Sequence, residues 1–278
     1  MELSVILFGL AAALCWGSAD FSGGVASKRN GAMIVVVISQ ITGIILLASY
    51  ATISGENIPS GNDIMWSVLA GLAGGAGLVA LYHALATEKM GIVGPITAVG
   101  SAMVPMIFGS LTEGLPSVSQ ITGFAFAFAG VWLITRGESE QSMELKRLRF
   151  PVIAGTGFGL FMILIDQVQG TEVFWPLVGS RSAAAILTFC MILYTGRKLR
   201  TSGIELLPFI LLAGFLDTGG NVFYVLAARS GRLDVAAILT SMYPAITVLL
   251  AWILLKERLS RRQWTGVFAV MVAVVLIA

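Results

Sequence analysis

Charge is what this sequence has least of. Only 12% of its 278 residues are charged, against 57% apolar. A soluble domain needs roughly 25% charged residues to cover its surface, so water is excluded as the main solvent of this one. The net charge of +2 leaves no electrostatic footprint for nucleic acid. Two cysteines, Cys15 and Cys190, and one histidine, His83, have no metal-ligand spacing. Both thiols read as packing residues, and no metal or other cofactor is expected. No Walker-type phosphate loop occurs. The glycines at Gly71, Gly74, Gly75 and Gly77 lie in an apolar run with no strand before it, and read as a helix-packing stripe. The first residues lack the basic start of a signal peptide, and Ala12-Ala13-Leu14 is a poor lipobox before Cys15, so a retained first helix is expected.

What the chain does have is apolar segments, recurring along its whole length. About 20 residues span a bilayer as a helix. Ten such helices are predicted near residues 3–25, 32–53, 63–86, 91–112, 117–136, 150–169, 173–195, 204–228, 233–255 and 261–278. Turn and charge signals mark the breaks, among them Lys28-Arg29-Asn30-Gly31, Ser54-Gly55-Glu56-Asn57 and Glu113-Gly114-Leu115-Pro116. The expected fold class is an all-α polytopic membrane protein.

A shift of about 143 residues brings two halves into register. Ala70-Gly71 falls on Ala213-Gly214, Gly77 on Gly220, Thr97 on Thr240 and Thr122-Gly123 on Thr265-Gly266. With small offsets, Asp20 meets Asp166 and Ser39-Gln40 meets Ser180-Arg181. Five spans per repeat force the second half to enter from the opposite side. The expectation is therefore two inverted five-helix repeats, residues 1–137 and 150–278, joined by a loop at 138–149, around a central cavity. Fourteen of the 17 lysines and arginines lie in breaks after odd-numbered helices. The positive-inside rule puts those breaks in the cytoplasm and both termini outside.

Polar residues inside the apolar helices need a reason, since an ionised group at the bilayer centre costs about 2.5–3.5 kcal/mol on insertion scales. Arg181 and Asp217 are the deepest, at ~12 Å and ~16 Å from helix ends that share a membrane face, so a charge pair is feasible. Two readings stand: Arg181 binds an anionic group while Asp217 carries a proton, or the two lock helices 7 and 8 together. Gly214, Asp217, Asn221 and Tyr224 share one helix face, which suits a wet cavity wall or interhelical hydrogen bonding. Pro105 and Pro244 free the carbonyls of Ser101 and Thr240. With Thr97 and Tyr243, these residues read as flexing cavity-lining turns or as fixed kinks. Gln40 and Ser180 join the cavity list as repeat mates of its neighbours. Asp20 and Asp166, each predicted about one turn from a helix end, read as matching gates or interface anchors. His83 reads as a packing residue or a proton-coupling group. No catalytic residues are expected, because Asp20 and Asp166 are predicted near opposite faces and make no shared acid pair.

Trp16-Gly17-Ser18-Ala19-Asp20-Phe21, Gly94-Pro95-Ile96-Thr97 and Leu255-Lys256-Glu257-Arg258-Leu259 resemble the EamA-type drug/metabolite transporters. A weaker copy stands at Leu111-Thr112-Glu113-Gly114-Leu115, and the resemblance covers essentially the whole chain. It implies a ten-helix inverted-repeat carrier in the cytoplasmic (inner) membrane of a prokaryote, exporting amino acids or other small metabolites. It also implies cytoplasmic termini, opposite to the loop charges. The expected partners are a small-molecule substrate, the lipid bilayer and protons, with a proton or solute gradient as the energy source. Sugar uptake and a lipid-carrier flippase are the alternatives within transport; few aromatics stand beside the deep charges in sequence, which argues against sugar. An intramembrane enzyme and a membrane-embedded sensor are the alternatives of other classes.

Overall fold

The structure, a computed structural model, describes residues 3–88, 90–112, 114–115, 117–135, 145–196, 204–256 and 260–277. Lys89, most of the expected connecting loop, residues 197–203 and the Glu257-Arg258-Leu259 part of the motif lie outside the described residues. The described residues are helical almost throughout: α1 (Leu3–Arg29), α2 (Ala32–Ile53), α3 (Gly61–Thr87), α4 (Met90–Thr112), α5 (Val118–Thr135), α6 (Leu145–Asp166), α7 (Phe174–Thr195), α8 (Leu207–Arg229), α9 (Leu233–Thr240), α10 (Tyr243–Leu254) and α11 (Arg261–Ile277). Among the described residues, seven stretches are long and apolar enough to cross a bilayer, with the α9–α10 stretch counted as one, and two shorter ones, Ile96–Thr112 and Ile121–Gly130, are also apolar. The outward faces are oily, with Ile53, Ile186, Leu193 and Phe268 among many large apolar side chains left exposed. Lipid is the solvent that such a surface fits.

Several boundaries differ from the sequence expectation, and α6 begins at Leu145, inside the loop expected at 138–149. α1 continues through Lys28 and Arg29, which occupy its last turn instead of a break. α6 stops at Asp166, and the chain from Gln167 to Val173 is a loop instead of helix. The ninth span is two helices. Pro244 has no N–H to give, so the chain turns at Ser241 and Met242 and restarts as α10. Pro105, by contrast, is accommodated inside a continuous α4.

Packing between the halves is paired. α1 lies along α8 and α3 along α6; α4 meets α6 as α9 and α10 meet α1; α3 meets α7 as α8 meets α2; and α2–α7 and α5–α11 each pack on their own counterpart. Small residues permit the closest of these approaches. Gly71 of α3 sits directly on the Ser180 backbone of α7, and Gly214 of α8, its repeat mate, sits on Ser39 of α2, where an added Cβ would lie 2.7 Å from the carbonyl oxygen.

Polar contacts tie loops and helix ends together at one end of the bundle. The Glu56 carboxylate, from the α2–α3 loop, accepts hydrogen bonds from the backbone N–H groups of Val173, Phe174 and Trp175 at 2.6–3.2 Å, where α7 begins. Four such bonds offset the unpaired donors of a helix start. Asp63 accepts from Gln169 N–H at 3.0 Å. Arg229 donates to the carbonyls of Gly170, Thr171 and Glu172 at 2.8–2.9 Å. The α6–α7 loop is thus held by the α2–α3 loop, the start of α3 and the end of α8.

Candidate functional site

α1, α2, α3, α4, α6, α7, α8 and α10 line a narrow central cavity of about 60 Å³. Arg181 is the largest buried side chain in it, 1% exposed. Its Nη2 donates to Asp217 Oδ2 and its Nη1 to Gln40 Oε1, both at 2.8 Å. The guanidinium is therefore shared by α7, α8 and α2, and its Nε, buried, has no hydrogen-bond partner. Asp217 is the more open partner, with 15% of its side chain exposed. In a low-dielectric interior such a charge-assisted network is strong, and removing one member leaves the other unpaired.

One turn beyond Asp217 on α8, Asn221 Oδ1 accepts from Trp16 Nε1 of α1 at 3.0 Å. Trp16 in turn stacks on Tyr224, ring centroids 5.8 Å apart. On the α4 side, the hydroxyls of Ser101 and Ser241 are 3.1 Å apart and connect α4 to the turn between α9 and α10.

Of the residues singled out from sequence, Arg181, Asp217, Asn221, Ser180, Gln40, Ser101, Tyr243 and Asp20 line this cavity. Tyr224 does not. It is fully buried behind Trp16 and donates to the Met162 carbonyl at 3.1 Å. Thr97 and Thr240 are also fully buried, their hydroxyls turned back onto the carbonyls of Val93 and Ala237 at 2.9 and 3.0 Å.

Asp20 is corrected in depth. Because α1 continues to Arg29, Asp20 sits nine residues from the helix end and is 8% exposed inside the cavity. Asp166, expected about one turn before its helix end, is the last residue of α6, so the two repeat mates stand at different depths. His83 lies away from the centre, its ring 4.5 Å from that of Phe150, along a separate groove that Arg149 and Met33 also line. Cys190, expected to pack, is exposed on the outer surface, while Cys15 is half-buried.

Sequence reasoning missed the aromatic lining: Trp16, Phe158 and Phe161 join Tyr243 around the charged pair. Trp16 carried a signal, being part of the motif before Asp20. Phe158 and Phe161 carried none, since helical neighbours of an apolar run look alike until the rotation of α6 is known. The expectation that few aromatics accompany the deep charges is therefore overturned.

Known proteins bear on this geometry. A solved structure described as a crystal structure of a protein has the same fold, with a TM-score of 0.80 at 12% identity, over 99% of this chain and 96% of that one. The Escherichia coli protein named "Uncharacterized inner membrane transporter YedA" is 24% identical over 98% of this chain and 90% of its own length. The Lactobacillus johnsonii protein named "Putative ribose uptake protein RbsU" is 25% identical over 65% of this chain and 58% of its own length. Residues 3–136 and 150–278 each match the EamA-like transporter family. With two matched segments that together take in nearly all of its length, the chain is an integral membrane transporter, not an enzyme, and belongs to the EamA-like transporter family.

Proposed function

We propose that this chain is a secondary active transporter of the cytoplasmic membrane. It exports a small polar metabolite, such as an amino acid, by alternating access driven by a proton gradient. Its ten spans form two inverted five-helix repeats, residues 1–137 and 150–278. Support for the repeats comes from the two family matches and from the paired helix contacts with their mated glycines.

The observation that carries the mechanism is the Arg181–Asp217–Gln40 network on the cavity wall between the halves. Charges at membrane depth belong to substrate and ion pathways when they face a cavity. On this reading, the Glu56, Asp63 and Arg229 contacts shut one end. Access from that end requires their release, which is the step that alternation supplies.

Uptake of a sugar is the second reading. It draws on the aromatic lining and on the ribose uptake protein's name.

The test is flux and counterflow in proteoliposomes with a metabolite panel and an imposed pH gradient. The expected result is saturable flux and counterflow for one solute class, abolished in the Arg181→Gln, Asp217→Asn double variant. Absence of saturable flux for every solute, or a wild-type rate in the folded double variant, overturns the proposal.

A further inference from the structure

The charges in the central cavity do not balance. Arg181 is matched by Asp217, and a second carboxylate, Asp20, lines the same space. Asp20 is 8% exposed and accepts no hydrogen bond among the described residues. A carboxylate in such a place requires a proton or a cation to neutralise it. The cavity wall therefore carries one more acidic than basic side chain.

Two more unsatisfied groups lie beside Asp20. The hydroxyls of Tyr82, from α3, and Tyr243, from α10, are buried without hydrogen-bond partners. Tyr82 presses its hydroxyl onto Gly23, one turn after Asp20 on the same face of α1. Tyr243 lines the cavity with Asp20, and the Asp20 charge acts on both phenols. An alkylammonium group brings three N–H donors. The Asp20 carboxylate lines the cavity, the buried Tyr243 oxygen on the same wall has no other partner, and the Trp16 ring adds an aromatic face that attracts cations.

We propose that Asp20 and Tyr243 form an ammonium subsite in which a substrate ammonium group replaces a proton carried by Asp20. The proposal rests on the central cavity being the transport site. In the exchange the Asp20 carboxyl O–H gives its proton to solvent as R–NH3+ enters. The carboxylate left behind pairs with the ammonium, and nothing is oxidised or reduced. The charged and titratable groups around it are Cys15 on α1 itself, Tyr82 on α3, Arg181 on α7, Asp217 on α8 and Tyr243 on α10; α2 contributes the uncharged Gln40.

Calorimetric titration of the full chain in detergent tests this, run in two buffers of different ionisation enthalpy so that proton release is counted. The probes are benzylamine, benzyl alcohol and benzyltrimethylammonium. Benzylamine is expected to bind with release of about one proton and at least about tenfold tighter than the alcohol. The trimethyl cation, which has no N–H, falls between them. Asp20→Asn is expected to weaken benzylamine at least about tenfold, to end proton release and to leave the alcohol unchanged. Tyr243→Phe weakens benzylamine about threefold or more, and serves alone if the Asp20 variant does not fold.

Equal binding of amine and alcohol, amine binding without proton release, or full affinity in either variant overturns the subsite. The two readings fail separately. Asp20-dependent amine binding in a chain that carries no solute would overturn transport through this cavity. Saturable flux of a neutral sugar with no amine binding would overturn only the subsite.

Discussion

Arg181 donates from Nη1 to Gln40 Oε1 at 2.8 Å, and these two residues are each other's counterparts in the internal repeat. The bond joins α2 of one family-matched segment to α7 of the other. The arginine that bridges the halves there is also the one that Asp217 neutralises.

Single and double changes at this pair separate structure from function. Asp217→Asn alone leaves a buried guanidinium with one neutral partner and is expected to destabilise the protein by about 3–5 kcal/mol. The Arg181→Gln, Asp217→Asn double variant is expected to regain most of that loss while remaining inactive in proteoliposomes. Thermal melts in detergent beside flux assays check both halves of the statement.

The paired glycine contacts predict a graded response. At Gly71 a methyl group would run into the Ser180 backbone, which has nowhere to go; at Gly214 it would lie 2.7 Å from the Ser39 carbonyl oxygen. Gly71→Ala is expected to cost about 1–3 kcal/mol by overpacking, and Gly214→Ala less. The midpoint of heat-induced aggregation, followed by size-exclusion chromatography, orders the two.

Glu56 holds the start of α7 by accepting bonds from three consecutive N–H groups. Glu56→Ala is expected to destabilise by roughly 1.5–3 kcal/mol, the range for hydrogen bonds to a charged group. It should also expose the shut end. A cysteine placed at Thr171 should react faster with a membrane-impermeant maleimide in the Glu56→Ala background than in its absence. An unchanged labelling rate would mean that Glu56 braces the helix without closing an entrance.

Trp16 and Asn221 join α1 to α8 through one 3.0 Å hydrogen bond. Trp16→Phe and Asn221→Ala, combined in a double-mutant cycle, are expected to show a coupling of about 1 kcal/mol in stability. Transport affinity should fall in both single variants, since both residues line the cavity.

Much of the architecture was legible in the chain because a bilayer imposes simple rules. Apolar runs of spanning length become helices, since unpaired backbone groups are not tolerated in lipid. Repeated small residues marked the contacts that the mated glycines make. The candidate site was partly legible for the same reason: Arg181 and Asp217 stand out in an apolar background. Asp20 was misplaced by about one turn because nothing in Gly23-Gly24 and the following residues shows that α1 continues to the basic pair. Tyr224, Thr97 and Thr240 share helix faces with cavity residues, yet a rotation of a fraction of a turn sends them into the packed interior.

The sequence by itself determined that this is a helical membrane protein of two related halves, because hydropathy and internal repetition are local properties of the chain. Only the tertiary structure decided which polar groups meet. It gave Arg181 two partners and left Asp20, Tyr82 and Tyr243 with unsatisfied groups, because hydrogen bonds form between atoms a few ångströms apart and helix rotation sets those distances.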